Sequence, residues 1–128
     1  MIRVMTGSGL TANVTLNPSV GYKWIVQYAK ATLSSGATAG TRSSQLNLQY
    51  TSGNNLTVLA QTGNQTGVST YFEGSGSPSS GYEGSEQSHS IFESDIIVSG
   101  LLSVIAQATL ISGDTFGYIL VVDEVLNE

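Results

Sequence analysis

The longest strand signal in the chain is the stretch GYKWIVQYAKATLSSG, residues 21–36. Large side chains recur in it at every second position, at Tyr22, Trp24, Val26 and Tyr28. Aromatic and β-branched residues favour strands, and a strand turns alternate residues to the same face. The stretch therefore predicts one long strand that ends at the Ser-Ser-Gly break of residues 34–36.

Shorter runs with the same period of two occur on both sides of this strand. They cover residues 10–16, 46–50, 56–60, 68–72, 96–98, 102–110 and 116–125. The runs 46–50 and 56–60 flank a Ser-Gly-Asn-Asn turn and predict a hairpin. No run keeps an apolar stripe at helical spacing. We therefore predict an all-β fold, a two-sheet antiparallel β-sandwich of jelly-roll type with about eight strands.

The 128 residues have the length of one compact domain. We predict an N-terminal arm at residues 1–9 and a single β-sandwich domain over residues 10–128. Gly, Ser and Glu dominate residues 73–90, which cannot bury enough apolar area to become ordered alone. This segment is predicted to be a flexible loop.

The composition is poor in charge and rich in neutral polar residues. Only 10% of residues are charged and the net charge is -5, which disfavours nucleic-acid binding. Neutral polar side chains cost less to desolvate than charges, which favours a protein that packs against other proteins. There is no cysteine, no export signal and no membrane span in the pattern, so we expect a soluble protein used without export.

The charges are divided between the two ends of the chain. All four basic residues precede position 43, and all nine acids lie at or after position 73. In a jelly roll the first long strand pairs with the last, which would bring Lys23 and Lys30 beside the strand that ends in Asp123 and Glu124. Such pairs would set the register more than the stability.

The residues needed for catalysis or metal binding are scarce. The single histidine, His89, lies in the predicted loop with Glu83 and Glu86, where no rigid element would hold a base or a cation. Glu93 and Asp95 form only an i, i+2 pair of carboxyl groups, which is not the arrangement of a glycosidase. We predict that the protein is not an enzyme and has no catalytic residue, metal site or cofactor.

The last strand is apolar on both faces and therefore needs a cover on each side. One cover is the opposite sheet, and a second subunit is the simplest other cover. Tyr82, an aromatic residue surrounded by Gly and Ser, is a further candidate for contact with a partner. The predicted interface residues are Phe116, Tyr118, Ile119, Val121, Tyr82 and Tyr71.

The order of several motifs resembles that of small tailed-phage virion proteins. The motifs are Pro18 followed by Gly21-Tyr22-Lys23-Trp24, Arg42 before Leu46-Asn47-Leu48, and Leu110-Ile111-Ser112-Gly113-Asp114 before a closing strand with Glu124. The Gly-Asp sequence before an apolar last strand is also similar to the C1q/TNF-like trimeric jelly rolls. Both resemblances imply homotrimers.

The resemblance implies a structural virion protein, a capsid decoration or minor coat protein that stabilises a shell by burying interface. Its partners would be copies of itself and a major capsid or other virion protein, with no nucleic acid and no membrane, and it would be located in the virion. The alternative is a carbohydrate- or receptor-binding β-sandwich module that contacts a glycan through the loop aromatics.

Overall fold

The computed structural model of the chain describes residues 1–62, 71–75 and 96–127. All regular structure in these ranges is β-strand. The described residues contain no helix long and apolar enough to cross a membrane. The strands are β1 (Ile2–Leu10), β2 (Val14–Leu16), β3 (Tyr22–Ser34), β4 (Ser43–Tyr50), β5 (Asn55–Gln61), β6 (Tyr71–Ser75), β7 (Ile97–Val98), β8 (Leu102–Thr109) and β9 (Thr115–Leu126).

The strands form two antiparallel sheets. The first has the order β1-β9-β3-β6, and the short strand β7 pairs with β3 on the same edge as β6. The second has the order β2-β8-β4-β5. The prediction of an all-β antiparallel two-sheet sandwich is confirmed, with nine strands in the described residues because residues 2–10 form the additional strand β1.

The strand pairs follow from one long antiparallel ribbon. β4 pairs with β5, β3 with β6, β2 with β8 and β1 with β9. In the order given, the two strands of each pair flank the preceding pair in the sequence. The ribbon is therefore one long hairpin whose turn lies between β4 and β5. Additional pairing of β3 with β9 and of β4 with β8 coils the ribbon into the two sheets.

The long strand β3 changes face partway along its length. Trp24 and Val26 point into the core, as the sequence predicts, but the register with β9 shifts between Val26 and Tyr28. The extra residue of this bulge, Gln27, is exposed. Tyr28 therefore points outward, and the prediction that it shares a face with Trp24 is wrong.

A single apolar core lies between the sheets. Both sheets contribute side chains to it, and each fully buried large side chain stabilises the fold by about 1.5–3 kcal/mol. The largest apolar side chains with no more than 1% exposure are Trp24, Leu33, Leu46, Leu59 and Leu120.

The predicted N-terminal arm is part of the sandwich. Residues 2–9 belong to β1, whose Ile2 to Gly7 pair continuously with β9. The prediction was wrong because the inward positions of this strand include Arg3 and Gly7, which weaken the alternation of polar and apolar residues. Backbone pairing does not require an apolar side chain at every inward position.

The predicted strand at residues 10–16 is divided between the two sheets. Leu10 ends β1 in the first sheet, and β2 begins at Val14 in the second. Gly9, with a φ of 61°, lies in the left-handed region just before the chain leaves the first sheet. The period of two continues across this corner, which hides the break from the sequence pattern.

The predicted flexible loop of residues 73–90 starts too early. Glu73 to Ser75 belong to β6, where they pair with Thr32, Ala31 and Lys30 of β3. Their composition is unfavourable for a strand, but the pairing is made by main-chain groups. Residues 76–90 lie outside the described residues.

Candidate interaction surface

The outer face of the first sheet carries rows of apolar side chains. Directly paired residues of antiparallel strands point to the same side of a sheet. Val4 of β1 is paired with Val121 of β9, and Val121 is paired in turn with Tyr28 of β3. This row crosses three adjacent strands on the side that points away from the core.

A second row lies next to the first and extends to β7. Ile2 is paired with Asp123, Asp123 with Ile25, and Ile25 with Ile97. Three apolar side chains of the two rows are largely exposed: Ile2 at 59%, Val4 at 63% and Ile97 at 42%. We call the whole set the apolar face; it consists of Ile2, Val4, Ile25, Tyr28, Ile97, Ile119, Val121 and Val125.

The carboxylate within the apolar face is paired. Asp123 Oδ1 lies 2.8 Å from the N-terminal ammonium group of Met1. The pair is exposed to solvent and contributes no more than about 1 kcal/mol to stability. It offsets the charge at the centre of the second row, while Lys23 and Lys30, paired in register with Val125 and Ile119, lie on the same side of the sheet.

The predicted interface residues of β9 are divided between its two faces. Ile119 and Val121 belong to the apolar face. Phe116 and Tyr118 point inward and are only 3% and 6% exposed, so they are core residues with almost no surface for a partner. Burial also raises the pKa of the Tyr118 phenol.

The two other predicted interface residues cannot be placed on this surface. Tyr71 begins β6, and its backbone pairs with Ser34, but its side chain lies outside the described residues. Tyr82 also lies outside them. The same holds for the candidate catalytic and metal-binding side chains Glu83, Glu86, His89, Glu93 and Asp95.

A buried carboxylate fixes the end of the first sheet beside the apolar face. Glu124 Oε2 accepts hydrogen bonds from Trp24 Nε1 and Arg3 Nη1, each at 2.8 Å. The Arg3 guanidinium also lies 5.9 Å from the centre of the Trp24 ring. Ser19, in the loop before β3, donates to the same carboxylate from its backbone N–H and its hydroxyl group. Glu124 thus joins three strands and a loop.

Hydrogen bonding controls the ionisation of Glu124. The Trp24 indole is the largest influence that lowers its pKa below the ordinary value. Burial acts in the opposite direction, and the Ser19 N–H and Arg3 add to the lowering. The carboxylate therefore remains ionised in neutral solution.

The predicted position of Lys23 and Lys30 beside the closing strand is confirmed, but the described ion pairs of Asp123 and Glu124 are made by other basic groups. β3 and β9 pair along their length, and acids of β9 do meet basic groups from early in the chain. The groups in the described ion pairs with Asp123 and Glu124 are the Met1 ammonium and Arg3. Lys23 is instead paired in register with Val125.

A third ion pair is fully buried at the opposite end of the sandwich. Arg42 Nε donates to Asp114 Oδ2 at 2.8 Å, and both side chains are fully buried. Arg42 also donates to the carbonyl oxygen of Thr38. Asp114 accepts the backbone N–H groups of Gly36 and Ile111 at 2.7 and 2.9 Å. The pair therefore ties the β3–β4 connection to the turn before β9.

The outer face of the second sheet has a different chemistry. Its strands β2, β8, β4 and β5 contain no charged residue. Gln107, Gln45 and Gln61 are paired in one row across β8, β4 and β5. Amide and hydroxyl groups dominate this face, and we call it the amide face.

Comparison with protein-family models, with curated proteins and with solved structures gives no match to this chain. The described residues also contain no group of three or more His, Asp or Glu side chains that could hold a metal ion. The apolar face and the amide face are therefore interpreted from their own geometry and chemistry.

Proposed function

We propose that the protein is a structural subunit that assembles with copies of itself through the apolar face. The observation that carries this proposal is the exposure of Ile2, Val4 and Ile97 on one continuous sheet surface. Contiguous exposed apolar patches of this kind are uncommon on monomers and mark interaction sites. Burying each of these side chains completely stabilises an assembly by up to about 1.5–3 kcal/mol.

The outer face of the first sheet, of which the apolar face is a part, has the dimensions of a protein interface. β9 has 12 residues, which at about 3.4 Å per residue extend about 40 Å. Four rows of strands about 4.8 Å apart give a width of about 19 Å. The resulting area of about 750 Å² is close to the roughly 800 Å² that each partner contributes to a standard interface.

The strand order supports a jelly-roll interpretation of the sandwich. A jelly roll is a long antiparallel ribbon wrapped into two sheets that contain two Greek keys. The pairs β4–β5, β3–β6, β2–β8 and β1–β9 form such a ribbon. Wrapping it yields the orders β1-β9-β3-β6 and β2-β8-β4-β5.

We propose a homotrimer as the assembly and a virus shell as its setting. The subunit would act as a capsid decoration or minor coat protein that binds a major capsid or other virion protein. The sequence resemblance to phage virion proteins supports this setting, and a closed ring would bury the apolar face of every copy. The role is mechanical and needs no catalytic group.

The test is the mass of the protein in solution at micromolar concentration, measured by sedimentation velocity and mass photometry. We expect the wild-type chain to be a trimer and Val4→Asp to be a monomer, because an aspartate in the interface would be desolvated without a partner. Thr15→Asp, at an exposed outward position of β2 in the other sheet, is the matched control and should leave the trimer intact. A wild-type protein that is monomeric at every concentration contradicts the proposal.

A further inference from the structure

A small cavity opens on the amide face, in the sheet opposite the apolar face. Its volume is about 350 Å³, within the range of small-molecule binding sites. Two cross-strand pairs, Ser43 with Thr109 and Gln45 with Gln107, supply four of its lining residues on β4 and β8. The complete lining is Asn13, Ser43, Gln45, Gln107, Ala108 and Thr109.

Hydrogen bonds orient the two glutamine side chains in this cavity. The Gln45 side-chain carbonyl Oε1 accepts from Asn47 Nδ2 at 2.8 Å and from Gln107 Nε2 at 3.3 Å. Two donors thus occupy this oxygen. Among the described residues, no group accepts a hydrogen bond from the side-chain N–H groups of Gln45, and no group donates one to the side-chain carbonyl oxygen of Gln107. A donor and an acceptor are left next to each other in the cavity.

We propose that this cavity binds a neutral saccharide. Adjacent hydroxyl groups of a sugar each donate and accept, and a donor beside an acceptor on fixed amides matches such a pair. The hydroxyl groups of Ser43 and Thr109 extend the same pattern on the next row. No charged residue lies in the strands of this sheet, so the site offers nothing to neutralise an acidic or basic ligand.

A peptide ligand fits this position less well than a sugar. Peptides commonly add to the free edge of a sheet through main-chain hydrogen bonds. The cavity instead lies over the paired strands β4 and β8, where Ser43 is paired with Thr109 and Gln45 with Gln107; β2 pairs with β8 only as far as Ala106. Five of the six lining residues offer neutral side-chain donors and acceptors, which suit hydroxyl groups.

This inference is independent of the proposed assembly because the apolar face lies on the other sheet. A monomeric protein can still bind a sugar through the amide face, and a trimer can lack a sugar site. It also differs from a sugar site built on the loop aromatics Tyr71 and Tyr82, because it requires neither.

The test starts with an array of neutral glycans that end in glucose, galactose, mannose or N-acetylglucosamine, with sialylated and sulfated glycans as comparators. The free monosaccharide of the best neutral binder is then titrated into ¹⁵N-labelled protein. We expect the side-chain amide signals of Gln45 and Gln107 to shift, with weak affinity. Gln107→Ala should weaken binding about tenfold through the loss of one or two hydrogen bonds.

Gln61→Ala is the matched control, because Gln61 lies in the same row but outside the cavity. It should bind as the wild type does. If Gln107→Ala does not fold, Thr109→Ala, at an exposed position of the cavity, takes its place with the same expected loss. The inference is overturned if no neutral glycan binds, if acidic glycans bind better, or if Gln61→Ala weakens binding as much as the cavity variant.

Discussion

The indole Nε1 of Trp24 donates a 2.8 Å hydrogen bond to Oε2 of Glu124, which lies in the neighbouring strand. Both residues are buried, and they are direct partners in the register of β3 with β9. The same oxygen accepts a hydrogen bond from Arg3 of β1, the strand on the other side of β9. One carboxylate therefore holds together the three strands that carry most of the apolar face.

Replacing Glu124 with Gln should destabilise the fold. The amide oxygen can still accept a hydrogen bond, but the charge that attracts Arg3 is lost. We expect a lower urea midpoint and a changed fluorescence emission, for which Trp24, the single tryptophan, is a direct reporter. Asp123→Asn, the adjacent acid on the outer face, is the control and should change both readings much less. Equal effects of the two substitutions would contradict the assigned role of Glu124.

Stability should decrease at acid pH. The pKa values of Asp114 and Glu124 are both lowered in the folded state, so the folded form binds protons less readily than the unfolded chain does. Their stabilising contribution is complete above the ordinary values of 3.8 and 4.5 and is lost as the pH falls through the lowered ones. Urea unfolding between pH 7 and about pH 2 measures this dependence. The double variant Asp114→Asn/Glu124→Gln should show a smaller loss, and an unchanged loss would show that other groups cause it.

Replacing Asp114 with Asn should cost about 3 kcal/mol in the free energy of unfolding, because Arg42 would remain buried without its counter-charge. Burial on its own would raise the pKa of Asp114, but the N–H groups of Gly36 and Ile111 and the Arg42 guanidinium outweigh it. Replacing both partners, with Asp114→Leu/Arg42→Met, should recover part of the loss. Urea unfolding of the single and double variants gives the comparison, and a double variant less stable than Asp114→Asn would contradict this explanation.

Gly117 in β9 should not tolerate a larger side chain. A Cβ atom there would lie 2.5 Å from the carbonyl oxygen of Gly7 and 2.9 Å from Thr32 Oγ1. Because the first of these atoms belongs to the backbone of β1, the strand itself would have to move. We expect Gly117→Ala to cost about 1–3 kcal/mol and to lower the melting temperature. Ser34→Ala, an exposed position of β3, is the control and should melt as the wild type does.

Much of the strand content follows from alternation in the sequence. The long strand β3 and the β4–β5 hairpin show it clearly, because each has a buried inner face, whereas the closing strand β9 is recognised by apolar residues on both of its faces. β1 escapes prediction because Arg3 occupies an inward position. The bulge at Gln27 is also hidden, because one extra residue in a strand leaves no signal in composition.

The candidate surfaces depend on register, which a single sequence does not specify. Val4 and Val121 are separated by most of the chain, and only the pairing of β1 with β9 makes them neighbours. The partnership of Arg3 with Glu124 has the same origin. The sequence shows that β9 is apolar on both faces. It does not show that Phe116 and Tyr118 fill the core while Ile119 and Val121 face outward.

The strands β2, β4, β5 and β8 contain no charged residue. The two faces of the sandwich should therefore respond to different solution conditions. Long-range electrostatic attraction should therefore increase the association rate of a ligand with the amide face only slightly, and binding there should vary little with salt concentration. Association through the apolar face should instead weaken on cooling, as the hydrophobic effect does. Cooling should therefore weaken self-association, whereas a change of salt concentration should leave ligand binding at the amide face nearly unchanged.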